Sequence, residues 1–294
     1  MLLVTGPTGH VGAELVDLLD KGRAGPWRVV GRHSNDLRAQ RPDLTAEIVA
    51  FDFFDRSTWS HALADVTSLF LLFPLPGNKA ARRALVPFLA AAESAGVRHV
   101  VYLSVFGADR VRFIPHYQVE AALRTGGLNY TVLRCSFFMQ NLHRAISTHG
   151  VDILEHGERF IPAGQGLTTF IDARDAAAVA ALALQQPDQH RNVVHHLTGP
   201  EALSMTDVAE QLTDVLGYPV RYTNPNLIKF ARRLRRRGVG WDTVGFMSAV
   251  YTLTRLGRNQ PITTDVEDLL GRPPRGLADF LRDSSWRWHS QEWT

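Results

Sequence analysis

Three evenly spaced glycines open the chain, in Gly6-Pro7-Thr8-Gly9-His10-Val11-Gly12. The five residues before them, Met1 to Thr5, are an apolar run that reads as a buried strand. Beyond them Leu15, Val16, Leu18 and Leu19 recur at helical spacing. Strand, glycine turn and helix together are the context in which such a fingerprint means dinucleotide binding. Gly6 lets the chain turn, Gly9 lets backbone approach a pyrophosphate, and Gly12 lets the helix pack close to the strand. The N–H groups at the helix start then face the phosphates, with Thr8, His10 and Val11 completing the turn. The spacing is G-x-x-G-x-x-G rather than G-x-G-x-x-G, and its place at the head of an alternating strand/helix chain gives it weight.

A second group of residues stands where later strands end. After Trp27 to Val30, where a site for NAD puts an acid on the ribose 2′-hydroxyl, this chain has Arg32, and the first acid is Asp36. Arginine suits a 2′-phosphate, so NADP(H) is the preferred cofactor and NAD(H) an admissible one. The alternative is a solvent-facing arginine with no such role. Asp52, with Phe53, ends the third strand and either contacts the cofactor's adenosine end or caps the next turn. Phe73 and Pro74 end the fourth and line the cofactor groove, because ligands of open α/β sheets sit beyond the carboxyl ends of strands. Ser104 ends the fifth, as a hydrogen-bond donor or a satisfied strand-end serine. His116 opens the next helix, the one imidazole that the topology puts near the cofactor's reactive end; a structural role stays open for it.

Some chemistries are disfavoured. None of the three lysines, Lys21, Lys79 and Lys229, has a tyrosine four residues earlier, so the Tyr-x-x-x-Lys pair of short-chain dehydrogenases is absent. There is no Gly-x-Ser-x-Gly elbow. His195 and His196 alternate faces of a strand and cannot share a metal, so no metal is expected. The single cysteine, Cys135, suits a reducing cytoplasm, and the short N-terminal run reads as a strand rather than a signal peptide. No run approaches the ~20 apolar residues of a membrane helix. Arginines 232, 233, 235, 236 and 237 follow Asn226 on a basic helix, read as a solvated face with Leu227, Ile228, Phe230, Ala231 and Leu234 opposite; without interleaved aromatics, no nucleic acid is expected.

The elements that must position these groups follow in order. Strands are expected at 27–30, 46–52, 67–73, 99–104 and 129–134. Helices are expected at 58–63, 79–96 and 116–124, the last two stopped by glycine. Six strands with intervening helices predict a Rossmann-type α/β fold, a doubly wound parallel sheet, followed by a smaller and more loosely patterned C-terminal part. The dinucleotide-binding domain is expected over 1–150, with 168–200 returning to the sheet. The smaller part is expected over 201–294, with 151–167 contributing. Further expectations are a helix beginning within 170–175 with Asp175 as its cap, a last strand at 193–197, a helix over 204–216 capped by Ser204, and Trp286, Trp288 and Trp293 covering a core.

With these residues in place, the chain resembles the NmrA-like branch of atypical short-chain dehydrogenases/reductases. The likeness rests on Val4 to Gly9, Val100 to Ser104, His116-x-x-Val119-Glu120, Tyr130 to Arg134, Phe138 to Asn141, Phe170 to Asp175 and Leu197 to Glu201, and on a closing segment from Asp265 to Pro274 with Phe280-Leu281. The resemblance implies that the smaller C-terminal part binds substrate and closes over the nicotinamide, framed by Phe73, Pro74, His116 and Phe137. It implies a substrate pocket from Phe106, Phe138, Met139, Asn141 and Trp241. Many members have lysine where this chain has His116; quinone- and dye-reductase-like members have histidine. The implied activity is NADPH-dependent hydride transfer to a conjugated small molecule such as a quinone, enone or iminium, in a setting such as secondary metabolism, with Ser104 or His116 as donor. A non-catalytic NAD(P)-binding redox sensor and a biosynthetic enzyme of non-redox chemistry are the alternatives. A homodimer is compatible with all three.

Overall fold

The computed structural model describes residues 1–22, 25–73, 80–112, 114–143 and 149–284. Pro74 and the tail tryptophans lie outside the described residues, as does Lys79 at the expected helix start. By its internal contacts the chain forms two compact units, Met1–Cys135 with Ala173–His196, and Ser136–Asp172 with Leu197–Thr294. Residues 136–150, 168–172 and 197–200, expected with the first part, therefore fall in the second.

The first unit is built on β1 (Leu2–Thr5), β2 (Trp27–Gly31), β3 (Glu47–Ala50), β4 (Ser68–Leu71), β5 (His99–Val105) and β6 (Asn129–Cys135), joined by the strand Val193–Leu197. The sheet order is Val193–Leu197, β6, β5, β4, β1, β2, β3, and the pairings from β6 to β3 are all parallel. The order reverses at β1, so the glycine turn sits at the switch point of a doubly wound sheet. Because strand residues alternate faces, Leu3, Leu69, Leu71, Val100, Tyr102 and Val132 pack in one core with Trp59, Phe88, Val119 and Leu123. Val4, Phe70, Val101 and Leu103 point the other way and are also buried. The helix Ala173–Gln185 packs on β4, β5 and β6 and against the helix His10–Lys21.

Local chemistry explains the departures. The helix expected over 79–96 runs as a π-turn, Ala81–Leu85, into the helix Val86–Ser94. Pro87 has no N–H to give the preceding turn, which widens there. Phe170 and Ile171 end the strand Thr168–Ile171, and the helix begins at Ala173, so Asp175 lies buried in its first turn and is not the cap.

The second unit has a three-stranded sheet ordered Ala202–Leu203, Thr168–Ile171, Phe137–Phe138, and a strand pair Glu158–Arg159 with Arg221–Tyr222. Ser204 caps the helix Met205–Leu216 in a capping box: its Oγ accepts from Asp207 N at 3.1 Å, and Asp207 Oδ2 accepts from Ser204 N at 2.8 Å. The basic helix is Leu227–Arg236, burying Phe230 and Leu234, whereas Leu227 and Ile228, expected on the buried face, are exposed. Nor are all its arginines solvated. Arg233 and Arg237 both donate to Asp152 Oδ1 at 2.9 Å, and Arg233 also reaches Glu158 at 3.0 Å. No helix among the described residues is long and apolar enough to cross a membrane.

Arg159 is only 1% exposed, yet among the described residues its Nε and Nη1 have no hydrogen-bond partner, and Nη2 reaches only Met205 Sδ at 3.7 Å. Burial without oxygen hydrogen-bond acceptors outweighs the attraction of Asp152 for this guanidinium, so the charge costs more than an apolar side chain of similar length. Arg159→Met is therefore expected to stabilise the protein by on the order of 1–4 kcal/mol. The check is the urea midpoint of both proteins; a lower midpoint for the variant would mean that the fold needs this charge.

Candidate functional site

The glycine turn separates what the fold requires from what a ligand requires. At Gly6, with φ +64°, an added Cβ would lie 2.3 Å from Leu72 Cδ2, and at Gly12 it would lie 1.9 Å from the Gly6 carbonyl oxygen. Both positions are closed by the protein itself. At Gly9, with φ −78°, the nearest atoms would stand at 3.4 Å, an ordinary contact. Chain packing does not demand glycine there; an approaching phosphate would. Gly9 is also the N-cap of the helix His10–Lys21 and has no side chain to bond its first-turn N–H groups, which leaves a helix start available to an anion. Thr8 is exposed beside it, His10 is half-buried and Val11 is buried. The turn fits a pyrophosphate.

Arg32 follows β2, exposed and without an ion pair or hydrogen bond among the described residues. The carboxyl ends of β1 and β2 lie side by side, Thr5 opposite Val30, so a group bound at the glycine turn comes within reach of this guanidinium. Asp52 resolves toward its alternative reading, since its Oδ1 accepts from Phe54 N at 2.9 Å and closes the turn after β3. Phe53 packs edge-on against Phe51 and Phe88, with centroids 4.7 and 5.3 Å away, and belongs to the core.

Two hydrogen bonds tie β5 to the helix Pro115–Thr125. Tyr102 Oη lies 2.7 Å from His116 Nδ1, and Ser104 Oγ donates to Glu120 Oε1 at 2.6 Å. The spacing matches: two residues along a strand advance about 6.6 Å, and four along a helix advance about 6 Å. Ser104 is 1% exposed and its hydroxyl proton is committed to Glu120, which corrects the expectation of a donor to substrate or cofactor. Glu120, itself wholly buried, also accepts from Arg134 Nε and Nη2 at 3.1 and 2.7 Å and from Arg124. Burial alone would raise its pKa, but the bonds from Arg134, Ser104 and Arg124 outweigh burial and hold it below the usual carboxylate range. Arg134 further meets Asp109 at 3.2 Å and His196 Nε2 at 3.3 Å. The ring of Phe106 lies 5.4 Å from that of His196.

His116 is half-buried, with the Phe73 ring 4.7 Å away by centroids. Burial presses its pKa down to about 4 against the opposing pull of Glu120. At the other end of β5, His99 is likewise held at about 4, by burial and by nearby His190, with Asp188 pulling the other way. Both pKa values lie below the unfolded 6.5, so the unfolded chain binds the extra protons between about pH 6.5 and 4. Stability is fully present above pH 6.5 and falls as pH drops through that window, by up to about 3 kcal/mol for each group. Urea midpoints at pH 7.5, 6.0 and 5.0 should decline, with a shallower decline in His99→Gln; equal midpoints would contradict both assignments.

In the second unit Phe137 is half-buried and packs edge-on against Phe170, with centroids 5.5 Å apart. Phe138 and Asn141 are half-buried. Two of the expected pocket residues differ sharply in exposure. Met139 is 1% exposed within the apolar core, and Trp241 is 68% exposed with the Arg235 guanidinium 5.0 Å from its ring centroid. Sequence reasoning missed Tyr102 and Glu120 as partners. Their signal is the pairing of positions two apart on β5 with positions four apart on the helix.

A parallel sheet in this order, with a glycine cradle at its switch point, defines a dinucleotide-binding α/β protein. The model of the NmrA-like family matches residues 1–238, and the chain belongs to that family. It is 32% identical over 289 residues to the NAD(P)H azoreductase of Xenophilus azovorans, covering 96% of this chain and 97% of that protein. It is 30% identical over 300 residues to the agroclavine dehydrogenase of Claviceps fusiformis, covering 98% of each. Among solved structures, the NADPH-dependent quinone oxidoreductase QOR2 of Escherichia coli in complex with NADPH superposes with a TM-score of 0.85 at 25% identity, covering 96% of this chain and 99% of that one.

Proposed function

We propose that the protein is an NADPH-dependent reductase that delivers hydride to a conjugated small-molecule acceptor. The observation that carries this reading is a phosphate cradle left open at Gly9 in the same unit as the exposed, unpaired Arg32. The names of the relatives support it: one is an NAD(P)H azoreductase, one an NADPH-dependent quinone oxidoreductase and one a dehydrogenase of agroclavine. In this reading Gly6, Gly9 and Gly12 admit the pyrophosphate and Arg32 holds the 2′-phosphate. His116, backed by Phe73, faces the reacting end. Bound there, the dihydronicotinamide supplies the hydride, and the protein supplies position and electrostatics.

The test is NADPH oxidation followed optically with a benzoquinone, a cyclic enone and a cyclic iminium salt, with products quantified. Stoichiometric consumption of NADPH and acceptor is expected. Tight binding of NADPH without consumption by any acceptor would favour the redox-sensor reading. Conversion of a substrate with no net cofactor change would favour the non-redox one.

A further inference from the structure

Tyr102 is wholly buried on β5, and its hydroxyl has one hydrogen-bond partner among the described residues, His116 Nδ1 at 2.7 Å. A phenol carries one proton that must be given somewhere when buried. Burial and nearby Glu120 both disfavour ionisation of this phenol, so the proton stays on oxygen. It therefore points at Nδ1, and Nδ1 is the acceptor. A neutral imidazole with Nδ1 as acceptor carries its hydrogen on Nε2. Nε2 has no hydrogen-bond partner among the described residues, and the residue is half-buried, so this N–H is left for a ligand.

From this geometry we infer that Tyr102 is a positioning residue that fixes His116 as a neutral Nε2–H hydrogen-bond donor, suited to an acceptor whose terminal atom bears a lone pair. The inference rests on the reductase reading and narrows it. A quinone or enone oxygen gains negative charge as hydride reaches the conjugated system, and a fixed donor stabilises that charge without reorganising. The nitrogen of an iminium cation has no free pair and gains nothing from such a donor. His116 then does not supply the proton that completes reduction; the reduced oxygen takes it from water. The charged and titratable groups facing this imidazole are Tyr102 and Glu120, the latter neutralised by Arg134 and Arg124. Burial outweighs the pull of Glu120 toward the charged form, so the ring is neutral at neutral pH.

The experiment has a spectroscopic and a kinetic arm. Long-range 1H–15N spectra of histidine-labelled protein at pH 7 should show the His116 ring, assigned by its loss in His116→Phe, in the Nε2–H form. In Tyr102→Phe, which removes only the hydroxyl, the ring should become a mixture of tautomers. An Nδ1–H or doubly protonated ring in the unaltered protein overturns the inference. With a quinone, Tyr102→Phe should lower kcat in proportion to the Nε2–H form lost, about twofold for an even mixture of tautomers, with the Kd for NADPH unchanged; an unchanged kcat overturns it too. His116→Gln, whose side-chain amide presents an N–H near the Nε2 position, should retain about a tenth of kcat, whereas His116→Phe loses more than a hundredfold. Equal losses in both variants would mean that a transferable proton is needed, which the inference denies. If no acceptor is reduced at all, the reductase reading fails, while the spectra still decide whether Tyr102 sets the tautomer.

Discussion

Replacing Glu120 by alanine is expected to destabilise the protein by about 3–5 kcal/mol, the cost of leaving a buried charge without its partner. The carboxylate is wholly buried and accepts from four donor groups on three residues: Ser104 Oγ, Arg134 Nε and Nη2, and Arg124. Arg134 is 5% exposed, and without Glu120 its nearest acid is Asp109, 3.2 Å from Nη1. Nε and Nη2 would then stay buried with nothing to bond. Ser104→Ala removes one neutral donor from a carboxylate that keeps the others, so about 1–2 kcal/mol is expected there. The two variants test the role of Ser104 as well. If Ser104→Ala weakened NADPH binding or quinone turnover more than its modest loss of stability explains, the hydroxyl would have a second role. Chemical denaturation of both variants, with a calorimetric Kd for NADPH, decides the matter.

Much of this unit was legible because its determinants are local. Glycine spacing after a five-residue apolar run, short β-rich segments and glycine-stopped helices are read within a window of about 15 residues. The doubly wound order then follows from right-handed crossovers. The rungs between β5 and the following helix were legible in principle, since Tyr102 and Ser104 share a strand face, and His116 and Glu120 share a helix face. What hid the Ser104–Glu120 bond is that a buried glutamate reads, in sequence, like any exposed helix residue.

The second unit resisted reading for a different reason. Its strands Phe137–Phe138, Glu158–Arg159, Ala202–Leu203 and Arg221–Tyr222 are two residues long, too short for any period to register. Met139 and Trp241 illustrate the result. Both are large and apolar, and only distant packing partners decide that one is core and the other is surface beside Arg235. The basic helix shows the same limit. Its pattern announces amphipathicity, but Asp152 and Glu158, more than 70 residues earlier, determine which arginine is paired.

Arg32→Glu is expected to raise the Kd for NADPH by roughly a hundredfold and to change that for NADH by less than threefold. Arg32 is exposed and makes no ion pair or hydrogen bond among the described residues, so its removal breaks nothing in the fold, and the loss is a binding effect. A guanidinium on a phosphate is a charge-assisted, bidentate contact, and such bonds contribute about 1.5–3 kcal/mol. Placing a carboxylate there adds repulsion of a dianionic group, so a total near 2.7 kcal/mol, a factor of about a hundred, is reached even with solvent screening. NADH has a hydroxyl in place of that phosphate. A glutamate can accept a hydrogen bond from it, which is the arrangement found in NAD-binding sites. The change should therefore act on preference rather than on dinucleotide binding as such. Raising the salt concentration should shrink the NADPH penalty more than it changes the NADH affinity, because both cofactors share the pyrophosphate contact and only NADPH adds the 2′-phosphate. Equal losses for the two cofactors would remove Arg32 from the site, and the 2′-phosphate would then need another cation near the end of β2, with the exposed Arg38 of the helix Ser34–Gln40 the first to examine.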